Sequence, residues 1–589
     1  MLKKLFRRKP LEVLLAEMAG EHRLHRVLGP ISLTSLGVGA IIGAGIFAMT
    51  GRVASEDAGP AVVVSFMIAG VACMLAAFCY SEFAAMAPVA GSAYTYTYAT
   101  LGEIWAWIIG WDLVLEYAMS CSVVAAHWSH YLDEFLWISF GWHIPPEFLS
   151  DPFTPVMVNG EPLQTYVNLP AILIMAVITT ILIIGIRESA VTNAVLVIVK
   201  LAVVLFVIVL GWNYINADNW TKVPVEKRRM ADVADYLERN PEFAAQIPEG
   251  KVTAFTNGAQ LLEQNPEVAE SLTPEERLQV EKLPNETKKW GLLGVLGIRK
   301  WLQPLDDSVR SPFFPYGLSG LMVGAALVFF AYIGFDSIST HSEEAIRPRR
   351  DVPIGILVSL SLCTVLYVLV SGVITGMQPY PEINPNAAVA AAFRVRSEVD
   401  GSFWLRASAW LIALGALAGM TSVLLVTFLS QARVFLAMAR DGLLPHSIFG
   451  VVHHRFRTPH RSTLLTGICI CIVAGFFPIR LLEEMVSIGT LMAFALVCAS
   501  VVILRITRPE AQRPFRCPAV FIVAPLGVLV NVTLMAFLPL DTWLRLLVWL
   551  ILGFVIYMSY GFWHSKMGHA LQHEMQTQGL SPTDAPISE

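Results

Sequence analysis

Lys200 stands alone in the apolar run Val191 to Gly211. A lysine ammonium at the middle of a bilayer costs about 2.5 to 3.5 kcal/mol even on the lenient insertion scale, so something in function must offset it. A structural ion pair would do so, and so would a proton carrier that releases and retakes its proton. Glycines at 37, 39, 43 and 45 bear on the choice, since each lowers helix propensity by roughly 1 kcal/mol relative to alanine. Unwinding there frees the N–H groups of Gly43, Ala44 and Gly45 for a carboxylate, at the positive end of the following half-helix, and leaves carbonyls near Ile41 for an ammonium. The zwitterionic head of an amino acid fits that arrangement. The same spacing also suits close helix packing through Gly39 and Gly43.

Two other segments carry costly groups. Phe329 to Asp336 holds a candidate hinge at Gly334 and an acid at Asp336, which serves either as a helix cap or in function. Trp111 to Tyr117 places Asp112 and Glu116 at i and i+4, on one helical face. Glu116 lies deeper. It can titrate, pair with Lys200, attract a cationic substrate side chain, or be satisfied by a neighbouring hydroxyl.

The elements that must position these residues follow from composition. Hydrophobic residues make up 55% of the 589 and charged residues 15%, with mean hydropathy +0.60, which marks a polytopic membrane protein. Twelve stretches approach the roughly 20 residues a helical span needs: Ile31–Thr50, Ala61–Ala85, Ile104–Ala126, Leu169–Ile186, Val191–Trp212, Gly317–Ser339, Ile354–Gly376, Phe403–Met438, Ser462–Phe477, Leu481–Ile506, Ala519–Pro539 and Leu544–Phe562. Basic residues cluster in the head (Lys3, Lys4, Arg7, Arg8, Lys9, Arg23, Arg26) and in loops at Arg347 to Arg350, Arg455 to Arg461 and Arg508 to Arg516. Twelve spans put all of these on one side, with both termini in the cytoplasm. The expected organisation is a cytoplasmic segment 1–28, a first half 29–212, a polar extracytoplasmic insertion 213–312, a second half 313–506, two further spans in 507–563 and a cytoplasmic tail 564–589.

The insertion holds 29 of the 87 charged residues, so the net charge of −5 says little about partners. Within it, Leu237-Glu238-Arg239-Asn240-Pro241-Glu242 echoes Leu262-Glu263-Gln264-Asn265-Pro266-Glu267, which reads equally as a duplicated helical hairpin or as chance. Its polarity argues that it folds apart from the spans with few contacts crossing, and its partner is unknown. The eight cysteines sit in or beside apolar segments, so no disulfide framework is implied, and Cys469-Ile470-Cys471 lacks zinc-type spacing. No cofactor, metal or nucleic acid is expected. The head has no short apolar region of secretory type.

Gly43-Ala44-Gly45-Ile46-Phe47, Tyr80-Ser81-Glu82-Phe83 with Pro88-Val89-Ala90-Gly91-Ser92-Ala93-Tyr94-Thr95-Tyr96, Phe329 to Asp336, and Gln431 to Pro445 together resemble the amino acid–polyamine–organocation superfamily, and within it a bacterial member of the cationic amino acid transporter family. The match runs from about Arg26 to Phe562, with Asn213 to Pro312 outside it. The resemblance implies an all-α polytopic membrane protein of 12 transmembrane helices: a leucine-transporter-type 5+5 inverted repeat with broken spans 1 and 6, plus two extra helices. It implies substrate held between the breaks, by Ile41, Gly43, Ala44 and Gly45 on one side and Phe330, Ala331 and Ile333 on the other, with Glu116 and Met420 near the side chain. It also implies that Lys200 replaces the sodium of sodium-coupled relatives, making protons the coupling ion. The costly acids Asp336 and Glu116 are the further candidate proton-coupling groups. Ala44 departs from the Ser or Thr common in relatives, which removes a hydroxyl but keeps the backbone N–H. The expected function is proton-coupled uptake of L-amino acids, small neutral and also cationic, by a non-enzyme of the bacterial inner membrane in the lipid bilayer. An exchanger without proton coupling and a non-transporting sensor remain alternatives.

Overall fold

A chain with this much apolar sequence must satisfy its backbone within its own segments wherever it meets hydrocarbon, and helices do so. The computed structural model describes residues 7–9, 28–86, 92–154, 156–158, 161–185, 190–248, 252–253, 255–456 and 458–567. Most of the 1–28 segment with Lys3, Lys4, Arg23 and Arg26, the motif residues Pro88 to Gly91, Arg457 and the tail from 568 lie outside the described residues.

The helices that frame the site are α1 (Pro30–Ile41), α2 (Val62–Met86), α3 (Ser92–Thr100), α4 (Glu103–Phe140), α5 (Leu169–Ile184), α6 (Ala190–Trp212), α7 (Gly317–Val328), α8 (Ser337–Thr340), α9 (Pro348–Met377), α10 (Phe403–Arg440), α11 (His460–Phe476), α12 (Ile479–Thr507), α13 (Val520–Ala536) and α14 (Leu540–Ile556). Among the described residues, seven helical runs are long and apolar enough to cross a membrane, and five apolar helices are shorter, Pro30–Ile41 among them. Local signals place several ends. Pro30 occupies the first turn of α1, Asn168 caps α5 by accepting from Ala171 N, and Gly141 ends α4 in the left-handed conformation. Between α4 and α5, Val156–Val158 pairs antiparallel with Glu161–Leu163.

The first expected span is not one helix. After α1 ends at Ile41, the chain resumes as a π-helical turn, Gly45–Met49, and runs through short turns into α2. α9 packs along α2 and α1, and α4 packs on α10 and α12. A parallel bridge ties the chain before α1 to the chain after α8: Leu28 N donates to Glu344 O at 3.0 Å and Ile346 N to Leu28 O at 2.9 Å.

The insertion divides into two parts. In the first, the two sequence echoes adopt the same local fold. Val233–Arg239 and Pro241–Ala244 meet at Asn240, and Gly258–Gln264 and Pro266–Ser271 meet at Asn265. In each case the asparagine amide donates to a carbonyl one turn back, Tyr236 O at 3.0 Å and Leu261 O at 2.8 Å, and proline opens the next helix. The two hairpins share a core that includes Val233, Tyr236, Leu261 and Val280, and the buried Arg228 and Asp235 form a bidentate pair. The second part lies against the membrane helices. Trp290 is buried beside Phe537, and Gly291, at φ +55°, comes so close to the α13–α14 turn that a Cβ would lie 2.4 Å from Leu538 O. Asp306 accepts from Ser319 N in α7 at 2.6 Å. Contacts therefore do cross, against the expectation of few, because Trp290 and Gly291 form an apolar, side-chain-poor face that polar composition concealed.

Candidate functional site: two facing helix breaks

The break after α1 is set by backbone geometry. Ile42 takes an extended conformation, φ −73° and ψ 103°, and the next α-type hydrogen bond is Phe47 N to Gly43 O at 3.4 Å. The amides of Gly43, Ala44 and Gly45 thus stand at the start of a half-helix with no preceding carbonyl to occupy them. A second break follows α7, where a single 3-10 turn, Phe329–Tyr332, gives way to extended Ile333 and to Gly334 at φ +119°. Only glycine adopts that φ without strain.

The two breaks touch. A Cβ on Gly45 would lie 2.4 Å from Ala331 Cα, and one on Gly334 would lie 2.8 Å from the carbonyl carbon of Ala40. Glycine is needed at both points for close backbone approach. α10 supplies the third wall: a Cβ on Gly43 would meet Val423 Cγ2 at 2.7 Å. Met420 is fully buried on the same helix, about 60° round from Val423 at 100° per residue. The closeness of Gly43 and Gly45 to their neighbours means that packing and unwinding coexist here.

Unwinding exposes carbonyls, and side chains from three helices meet them. Lys200, fully buried on α6, donates from Nζ to Gly39 O at 2.7 Å. Tyr367 on α9 places one hydroxyl 2.8 Å from Ile41 O and 2.8 Å from Ala331 O, so a single proton serves both breaks. Tyr131 on α4 donates to Phe47 O at 2.7 Å. Buried carbonyls without partners would cost about 1–3 kcal/mol each, so these contacts are what make the breaks tolerable.

The acids lie to one side. Asp336 is buried and accepts from Tyr117 OH at 2.6 Å and from Gly334 N at 3.3 Å. It fixes the hinge rather than capping the helix that follows it, whose first turn takes no side-chain cap. Glu116 is buried with no hydrogen-bond partner on either oxygen, and so is Asp112. Lys200 does not pair with Glu116: its ammonium goes to Gly39 O, and among the described residues neither enters an ion pair. The neighbouring hydroxyl of Tyr117 goes to Asp336 instead. Ile41, Gly43, Ala44, Gly45, Ala331 and Asp336 are therefore brought together, with Phe330 and Ile333 buried in the second break. Tyr117, Tyr131, Tyr367 and Val423 were not singled out by sequence. For the tyrosines the available signal was a hydroxyl within an apolar span.

This architecture defines an integral membrane protein whose polar chemistry is concentrated where two interrupted helices meet. The amino acid permease family model matches residues 28–256 and 291–559, and the chain belongs to that family. It is similar to the methylthioribose transporter of Bacillus subtilis (strain 168), 36% identical over 96% of this chain and 99% of that protein. It is also similar to the branched-chain amino acid permease BcaP of the same organism, 36% identical over 95% and 98%, and to the vacuolar cationic amino acid transporter 4 of Arabidopsis thaliana, 33% identical over 86% and 68%. The family-model match is interrupted at residues 257–290, inside the segment 213–312.

Proposed function

We propose that the protein is a secondary active permease of the bacterial inner membrane that takes up L-amino acids by alternating access, driven by protons. The seven long and five short apolar helices act in this reading as twelve spans, ten of them in two inverted repeats, with both termini cytoplasmic. The observation that carries the proposal is the docking of Lys200 Nζ on Gly39 O at 2.7 Å, one turn from the free amides of Gly43 to Gly45. Protonated lysine holds the end of α1 in place, and loss of the proton releases it, so the proton and the substrate-binding backbone are joined through one helix end.

In this reading the substrate carboxylate binds the amides of Gly43, Ala44 and Gly45. Its ammonium binds carbonyls at the breaks near Ile41 and Ala331, and its side chain lies toward Phe330, Ile333, Val423 and Met420. The bulk of that wall favours small neutral side chains, and the unpartnered Glu116 admits cationic ones. Asp336 and Glu116 are the further proton-coupling groups. The relatives named for branched-chain and cationic amino acids support this substrate class. Uptake of labelled amino acids into proteoliposomes, with and without a pH gradient, tests it. Accumulation that ignores the gradient sinks the coupling, and competition by methylthioribose but by no amino acid sinks the substrate class.

A further inference from the structure

Between the insertion and the outer ends of the membrane helices lies a cavity of about 160 Å³. Its walls are Glu56 and Asp57 beyond the first break, Arg480 at the start of α12, Tyr316 just before α7, and Arg229, Lys288 and Lys289 from the insertion. Most of these charges are matched. Arg480 contacts Asp57 Oδ1 at 2.9 Å, Glu56 at 3.1 Å and Glu484 at 3.2 Å, Arg229 contacts Glu56 at 3.2 Å, and Lys289 contacts Asp306 at 3.5 Å.

Two groups of opposite sign keep an atom free of any partner in these pairs, although Asp57 is already bound to Arg480 through Oδ1. Asp57 is 8% exposed and its Oδ2 has no hydrogen-bond partner. Lys288 enters no ion pair among the described residues, although its ammonium belongs to the same cavity. An anion bound there would leave Asp57 Oδ2 unmatched, and a cation would leave Lys288 unmatched. A molecule carrying both an ammonium and a carboxylate satisfies both. The volume suits one of modest size, since it corresponds to roughly ten water positions. Arg229, whose side chain is half exposed, marks the mouth.

The geometry points to a second amino acid site, with the substrate ammonium on Asp57 Oδ2 and its carboxylate on Lys288, formed jointly by the insertion and the outer half of the first broken helix. Twelve residues separate Gly45 from Asp57, so this site stands about 18 Å outward of the central one at helical rise. It rests on the transport reading for its direction, and gives the insertion a task in substrate capture.

Equilibrium binding of tritiated L-alanine to the purified full-length chain in nanodiscs tests the inference. The expected stoichiometry is two per chain, falling to one in Lys288→Gln, with the affinity of the remaining site unchanged. In Gly45→Val it is again one, and in the double variant none. A wild-type stoichiometry of zero, or a stoichiometry that stays at the wild-type value in both Lys288→Gln and Asp57→Asn, overturns it. Failure of the central site reads differently: Gly45→Val then leaves binding untouched, while the Lys288 comparison still reports on the outer site alone.

Discussion

The ammonium nitrogen of Lys200 lies 2.7 Å from the carbonyl oxygen of Gly39, two residues short of the end of α1. The last carbonyls of a helix lack intrahelical donors, and here one donor is a group that can lose its proton. Lys200→Ala is expected to abolish uptake driven by a pH gradient while leaving equilibrium binding measurable. A variant that still accumulates substrate in proportion to the gradient excludes Lys200 as the coupling group.

Gly45 meets Ala331 backbone to backbone, which leaves no room for a side chain. Gly45→Val should therefore separate the breaks and weaken substrate binding by at least about 10- to 100-fold, the loss of a charge-assisted hydrogen bond worth roughly 1.5–3 kcal/mol. Amino acid amides and methyl esters should fail to compete for the wild-type site. Equal competition by an amide would show that the carboxylate is read elsewhere.

Tyr367→Phe strips the proton shared by Ile41 O and Ala331 O. Leaving buried carbonyls unmatched is expected to cost about 1–3 kcal/mol of stability, read as a lower midpoint of thermal unfolding in detergent, together with weaker substrate binding. Unfolding at the wild-type temperature would mean that the two carbonyls find other donors.

Glu116→Gln keeps shape and removes charge. Binding of small neutral amino acids should persist while their gradient-driven accumulation weakens, and competition by arginine or lysine should disappear. Loss of neither accumulation nor competition would remove Glu116 from the site.

In the insertion, burial works to raise the pKa of Asp235, but the hydrogen bonds and charge of Arg228 outweigh it and hold it at about 2. A carboxylate depressed in the folded state contributes stability that is complete above its unfolded value, near 3.9, and is lost as pH falls toward the folded value. Amide protection in Val233 to Leu283, corrected for intrinsic exchange, should therefore weaken by about 2 kcal/mol between pH 4.5 and 2. Asp235→Asn should lose about 3–5 kcal/mol already at pH 7, because it strands a buried guanidinium. Wild-type protection that is flat over that range would contradict the pairing.

Both breaks were legible in sequence because glycine is expensive in helices, so Gly37 to Gly45 and Gly334 stand out against apolar runs. Lys200 was legible for the same kind of reason, being a charge in hydrocarbon. Its partner was not, since a backbone carbonyl leaves no mark in composition. Tyr131 and Tyr367 look like ordinary aromatic residues of a span until a carbonyl is found opposite each hydroxyl. Val423 escaped notice because which residues of α10 face the break depends on helical register relative to that break, which periodicity along one helix does not contain. The insertion misled because its polar average hides Trp290 and Gly291, the two residues that dock it.

The short bridge at Leu28 has a mechanical side. It binds the foot of α1 to the chain leaving α8, while Gly334 rests against Ala40 at the other end of that helix. Two bodies joined at two separated points lose their freedom to swing relative to each other. The arm of the first interrupted helix before its break and the arm of the second after its break are therefore tied into one lever. Relative motion is left to the turns at Ile42 and Ile333, where each arm meets the other half of its helix, so the residues of the proposed site would also serve as the fulcrum.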